Sequence, residues 1–290
     1  MTPKLDLLFE TENALEPLRI SVERTIESLE LENESITKIP PEIGQLTHLM
    51  TLNFNGNQLT TLPPEIGKLA NLSLLNLNGN KLTALPPEIG RITNLTTLNL
   101  SGNKLTALPP QIGQLINLTT LILSSNQFIA LPPQIGQLTK LTKLNLMLNQ
   151  FTVLPIEILQ LTKLTWLNLS ANKLTILPPE IGKLINLTTL ILVGNQFTFL
   201  YREFTQLTRL TTLNLNSNQL ISIHREIVQL VNLTILELSN NKLYDLPEEI
   251  RQLSNLRVLN LGWNMIDDNE KQKIKRLLPK CDIKFGDFNY

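Results

Sequence analysis

Apolar residues two apart recur along the chain as Leu52/Phe54, Leu75/Leu77, Leu98/Leu100 and Leu121/Leu123, and on to Leu259/Leu261. Side chains two apart in an extended backbone share a face, so each pair predicts a short strand with one buried and one open side. After each strand a second apolar pair follows at a spacing of three, as in Ile66/Leu69 and Ile112/Leu115, usually behind a Leu-Pro or Leu-Pro-Pro run. Proline fixes φ and lacks an N–H, which ends strand pairing but suits a first helical turn. So short a spacing predicts a 3-10 or α turn, not a full helix. Between strand and turn an asparagine returns at Asn57, Asn80, Asn103, Asn126, Asn149, Asn172, Asn195, Asn218, Asn241 and Asn264, each 23 residues from the last. Glu34 takes the place one interval earlier.

One such unit cannot bury its own leucines, but stacked neighbours can. The pattern therefore predicts eleven stacked units over residues 26–266, the last of them modified. Parallel strands joined by right-handed crossovers would form one curved sheet, with short 3-10 or α turns on the opposite, convex side. The asparagine amide carries donors and an acceptor, which suits it to backbone groups that a tight turn leaves unpaired.

The unit LTTLNLSGNKLTALPPQIGQLIN (Leu95 to Asn117) shows the full pattern. This L-x-x-L-x-L-x-x-N-x-L-x-x-L-P frame resembles the leucine-rich-repeat family in its 23-residue form, as in bacterial intracellular-type repeats of spirochaetes and cyanobacteria. It is also similar to the repeats of Roco proteins and of Ras-group leucine-rich-repeat proteins. The resemblance covers residues 26–266. It implies an α/β right-handed solenoid, an asparagine ladder inside the coil, and a protein partner such as a small GTPase or a signalling protein.

An open solenoid needs covered ends. Residues 1–25 are the N-terminal cap candidate, with Leu15, Leu18 and Val22 at helical spacing. Residues 267–290 are the C-terminal one. There DDNEKQKIKRLL predicts a helix with acids early and bases late, and Cys281 to Phe285 alternates like a closing strand.

Lys plus Arg (25) balances Asp plus Glu (25). Without a net field the chain is not expected to gather nucleic acid. No apolar run is long enough to span a bilayer, and the acidic start MTPKLDLLFETENALEPLR does not read as a secretory leader. A lone cysteine, Cys281, fits a reducing compartment, so a cytoplasmic monomer is expected, with secretion as the alternative.

Candidate chemistry is sparse. His48 and His224 fall in the first and ninth units, too far apart to share a metal or a proton. Phosphate-binding glycine motifs and H-E-x-x-H are missing from the sequence. Cys281 beside Asp282 raises the possibility of a ubiquitin-ligase-type effector, but that activity needs a large domain after the repeats and only 267–290 follow. The sequence therefore reads as non-enzymatic, with no cofactor and no metal. Glutamates at 42, 65, 88, 157, 180, 203, 226 and 249 read as a solvated convex rim.

Positions flanking the buried strand leucines should face the concave side. Most are Thr, Asn or Ser, but units five to eight place Ile122, Lys143, Met147, Leu148, Trp166, Ile191 and Val193 there. The core does not call for them. They predict a contiguous patch that holds a partner protein, and Trp is a favoured anchor in such surfaces. A secreted or surface adhesin is the competing function. Units eight and nine also lose the Leu-Pro-Pro run around Tyr201, Phe204, Thr205, His224 and Val228, which reads as divergence.

Overall fold

The computed structural model describes residues 26–200 and 202–286. The N-terminal cap candidate and Tyr201 lie outside them. Twelve three-residue strands form one sheet in strict sequence order, each parallel to the next. They are β1 (Ser28–Glu30), β2 (Thr51–Asn53), β3 (Leu74–Asn76), β4 (Thr97–Asn99), β5 (Thr120–Ile122), β6 (Lys143–Asn145), β7 (Trp166–Asn168), β8 (Thr189–Ile191), β9 (Thr212–Asn214), β10 (Ile235–Glu237), β11 (Val258–Asn260) and β12 (Asp282–Lys284). From β1 to β11 the register advances by one repeat per strand, so Leu29 faces Leu52, Leu52 faces Leu75 and Leu144 faces Leu167. The predicted α/β solenoid is the observed fold.

Each strand from β1 to β11 puts its middle leucine inside the coil, and from β2 on the next apolar residue but one joins it. Leu98, Leu100, Leu144 and Leu146 are wholly buried. The opposite wall of the core comes from ten 3-10 turns, running from Pro41–Gln45 to Glu248–Gln252. In the regular copies a proline precedes the turn at φ near −70° and a second one opens it, as at Pro63 and Pro64. The turn then buries an isoleucine such as Ile66.

The asparagine ladder binds successive coils together. Asn80 Nδ2 donates to Phe54 O of the preceding coil (2.8 Å) and to Leu77 O of its own (3.1 Å). Its Oδ1 accepts from Leu59 N, also of the preceding coil, at 2.9 Å. All ten asparagines make this set of bonds, from Asn57 to Asn264. A single side chain thus satisfies backbone groups of two coils at the bend.

Threonines form a second ladder at the strand entrance. Thr119 Oγ1 donates to Thr96 O, and Thr142 Oγ1 donates to Thr119 O, one coil after another. On the convex side a recurring glycine lets the turns close up. A Cβ on Gly67 would lie 2.5 Å from Glu88 O of the next turn. The same packing lays Glu65, Glu88 and Glu157 against the glycine of the turn before, with Glu65 Cβ at 3.0 Å from a Cβ built on Gly44. With or without that glycine, Glu42, Glu65, Glu88, Glu157, Glu180, Glu226 and Glu249 are half-buried between stacked turns, which corrects the reading of that column as a solvated rim.

At the C-terminal end α1 (Asp268–Leu277) lies across the last coil. Glu270 N donates to the capping Asp267 Oδ1 at 2.8 Å, and Ile274 is wholly buried. The chain then returns as β12 beside β11, with Ile283 facing Leu259.

Two substitutions test this core. Leu144→Ala should cost about 2–5 kcal/mol, because it opens a cavity where the side chain is wholly enclosed. Asn149→Ala leaves Phe128 N, Leu123 O and Leu146 O without their bonds, at about 1–3 kcal/mol for each group left dry. Urea melts followed by circular dichroism would measure both. A wild-type midpoint in either variant would contradict the packing.

Candidate partner-binding face

Three columns of side chains line the open face of the sheet, one residue from each coil. Across β5 to β8 the first column reads Thr120, Lys143, Trp166, Thr189, and the second Ile122, Asn145, Asn168, Ile191. Two residues further along each chain, the third reads Ser124, Met147, Ser170, Val193. Six of the seven residues singled out from the sequence stand in these columns.

They do not make the continuous apolar sheet that the sequence suggests. Asn145 and Asn168 separate Ile122 from Ile191, and Ser170 separates Met147 from Val193. The larger side chains stand around a polar floor. Asn168 and Ser170 are 7% and 4% exposed, deeper than the equivalent Asn99 and Ser101 in β4's coil, which are half-buried. Trp166, Met147, Ile191 and Val193 therefore ring a shallow hollow. Trp166 is half-buried on this face, outside the coil interior.

The floor is polar for a structural reason that the sequence reading missed. Asn168 Oδ1 accepts from Ser170 N at 2.9 Å and from Ser170 Oγ at 2.6 Å. Asn53, Asn76, Asn99, Asn145, Asn214 and Asn260 take the N–H two residues on in the same way. This second asparagine column caps the strand's exit as an Asx turn. Its signal was present as another recurrence at the 23-residue interval.

Lys143 and Trp166 are directly paired across β6 and β7, and Lys143 Nζ sits 4.9 Å from the ring centroid. Such a contact contributes about 0.5–1 kcal/mol at an open site and holds the indole against the sheet. The ammonium itself remains exposed.

Leu148 is placed differently from the sequence expectation. It follows the strand columns, on the turn at the rim, with φ +55° and 47% exposure. Every coil puts one residue at this left-handed position, and Gly56, Gly79, Gly102 and Gly194 fill it in four of them. A leucine there is strained by its Cβ, and its exposed side chain repays nothing to the core. Trp263, φ +57°, is the other bulky residue in this position.

Another apolar row lies on the flank just beyond the rim. Ile129, Val153, Ile176, Phe199 and Ile221 are exposed in five successive coils, where coils two to four carry Thr60-Thr61, Thr83-Ala84 and Thr106-Ala107. Read as loop residues, they drew no notice in the sequence. An apolar cleft bounded by Pro179, Phe199, Leu200 and Phe204 opens beside this row.

Cys281 is half-buried in the cap and packed against the core. Burial first, then the neighbouring Asp282 carboxylate, push its thiol up from the ordinary 9.0 to about 11, against a weaker pull from Arg257. Among the described residues, no group of three His, Cys, Asp or Glu is placed to hold a metal ion. No helix among them is long and apolar enough to cross a membrane.

Leu148→Asn should raise stability by about 1 kcal/mol, because asparagine tolerates a left-handed backbone. A destabilised variant would show that the leucine serves the fold. Native Cys281 should react with iodoacetamide at pH 8 about 100-fold more slowly than in urea, in line with its depleted thiolate. Equal labelling rates would contradict the burial described here.

Known proteins place this architecture. The leucine-rich repeat region family matches residues 66–165 and 154–282, and the leucine rich repeat family matches residues 24–82. Among curated proteins, none matches the chain. Among solved structures, a leucine-rich-repeat protein of Leptospira interrogans is 40% identical over 90% of this chain and 73% of its own, with a TM-score of 0.78. The functional domain of InlJ from Listeria monocytogenes, which includes a cysteine ladder, is 30% identical, with a TM-score of 0.75. The plant peptide hormone receptor RGFR1, solved in complex with RGF2, is 29% identical, with a TM-score of 0.71. This chain spans 54% of the listerial domain and 48% of the plant receptor. With the repeat matched from end to end of the sheet, the chain belongs to the leucine-rich-repeat family.

Proposed function

We propose that this chain is a non-catalytic scaffold that holds a partner protein in the hollow on the concave face of coils five to eight. The leucine-rich-repeat fold is a protein-interaction scaffold, and its members are generally non-catalytic. One observation carries the location. Trp166, Met147, Ile191 and Val193 stand around Asn168 and Ser170 on a face that is elsewhere mostly Thr, Asn and Ser. None of the four fills the core, and a half-open tryptophan with a methionine on the same face is the composition of an interface anchor.

The 40% identity to the Leptospira protein supports a bacterial repeat of the 23-residue kind. A single cysteine supports a reducing, cytoplasmic setting, and a monomer that acts in signalling remains our reading. The similarity to the listerial InlJ domain favours a second reading, a surface or secreted binder of a host protein. Fractionation of the native cell separates the two. Recovery with the cytoplasm supports the first reading, and recovery from the surface or medium supports the second.

Trp166→Ala should leave the thermal melt within about 1 kcal/mol of wild type, since the indole lies outside the coil. It should weaken capture of the partner about tenfold or more, as loss of a hot-spot side chain does. A pull-down from native lysate, quantified by mass spectrometry with both proteins as bait, measures this. Equal recovery of every captured protein would remove the hollow as the binding site.

A further inference from the structure

From β2 to β9 the three concave columns carry a single charge, Lys143. The next strand, β10, brings Glu237 into the second column, where other coils mostly place the turn-capping asparagine. Glu237 Oε2 accepts from Asn216 Nδ2 at 3.1 Å and from Asn260 Nδ2 at 2.8 Å. Asn216 also takes over the displaced capping bond, accepting from Ser239 N at 2.6 Å. The carboxylate is thus aimed by neighbours on both sides.

The nearest cationic residue of its own column, Lys284, stands two strands on, beyond Asn260. Glu237 is half-buried, and among the described residues no Lys, Arg or His stands within ion-pair distance of it. A partly desolvated carboxylate held by two neutral amides gains most from a cation brought to it. Lys143 lies on the far side of the hollow, four strands from Glu237, and its exposed ammonium disfavours a cation at that end.

We propose that the occupant is an extended segment of a partner chain, running across the strands. It seats an apolar side chain in the hollow bounded by Trp166, Met147, Ile191 and Val193, and sets a Lys or Arg on Glu237. This rests on the concave-face reading above. Val193 and Glu237 are two strands apart, roughly 10 Å at the usual strand spacing, which an extended chain covers in about three residues. The direction of the segment follows from the charges, with its basic end towards β10.

A random-peptide phage library panned against wild type, Glu237→Lys and Trp166→Ala tests this. Wild type should enrich peptides with a large apolar residue and a Lys or Arg about three residues away. Glu237→Lys should keep the apolar residue and exchange the basic one for Asp or Glu. The isosteric Glu237→Gln should weaken a selected synthetic peptide about tenfold by calorimetry and flatten its salt dependence. If Glu237→Lys enriches the same basic peptides while Trp166→Ala loses them, the carboxylate site is overturned and the hollow stands. If wild type enriches nothing beyond Trp166→Ala, both readings fall.

Discussion

A chain that turns back on itself after every three-residue strand leaves backbone N–H and C=O groups inside a wall of leucine, where water cannot reach them. Each such group costs about 1–3 kcal/mol if left alone. One asparagine per coil removes that cost for its own bend and for the neighbouring one, since its amide reaches Phe54 O and Leu77 O together while its carbonyl takes Leu59 N. The coils can then stack at strand spacing with the leucines turned inward. The flat register of the sheet, the closeness of the convex turns at Gly67 and the exposure of alternate side chains follow from that closure.

The same constraint explains where function can reside. Inward positions are committed to the core, and the second concave column is largely committed to Asx turns. What remains free is the first column, the third column and the left-handed rim position. Lys143, Trp166, Met147, Val193 and Leu148 occupy those places. Ile122, Ile191 and Glu237 go further, since each displaces a capping asparagine. Leu148 carries backbone strain with no core contact in return. Departures that weaken local structure in this way are the grounds for proposing this surface as the binding face.

Much of this was legible in the sequence because the repeat period is also the period of the coil. Leucine pairs two apart gave the strands, and their 23-residue recurrence gave the sheet order and the asparagine ladder. The unread parts depend on geometry between coils. That Asn53, Asn76 and Asn168 cap turns is a matter of where their carbonyls point, which composition does not show. Leu148 sits three residues after Asn145, the last residue of β6, and its φ shows that it stands on the turn at the rim. The glutamate column reads as solvated along the chain, and its partial burial shows only once the 3-10 turns are stacked. The row from Ile129 to Ile221 became a row only once the coils were stacked, and residues 1–25 lie outside what is described.

Oxidative footprinting tests the central claim most directly, because the chain holds matched reporters. Trp166 and Met147 line the concave hollow, whereas Trp263 and Met265 are exposed at the last coil, away from it. Hydroxyl-radical labelling of the free protein and of its complex with a captured partner should show Trp166 and Met147 protected and Trp263 and Met265 unchanged. Protection of the second pair, with Trp166 and Met147 labelled as in the free protein, would place the partner elsewhere and contradict the account.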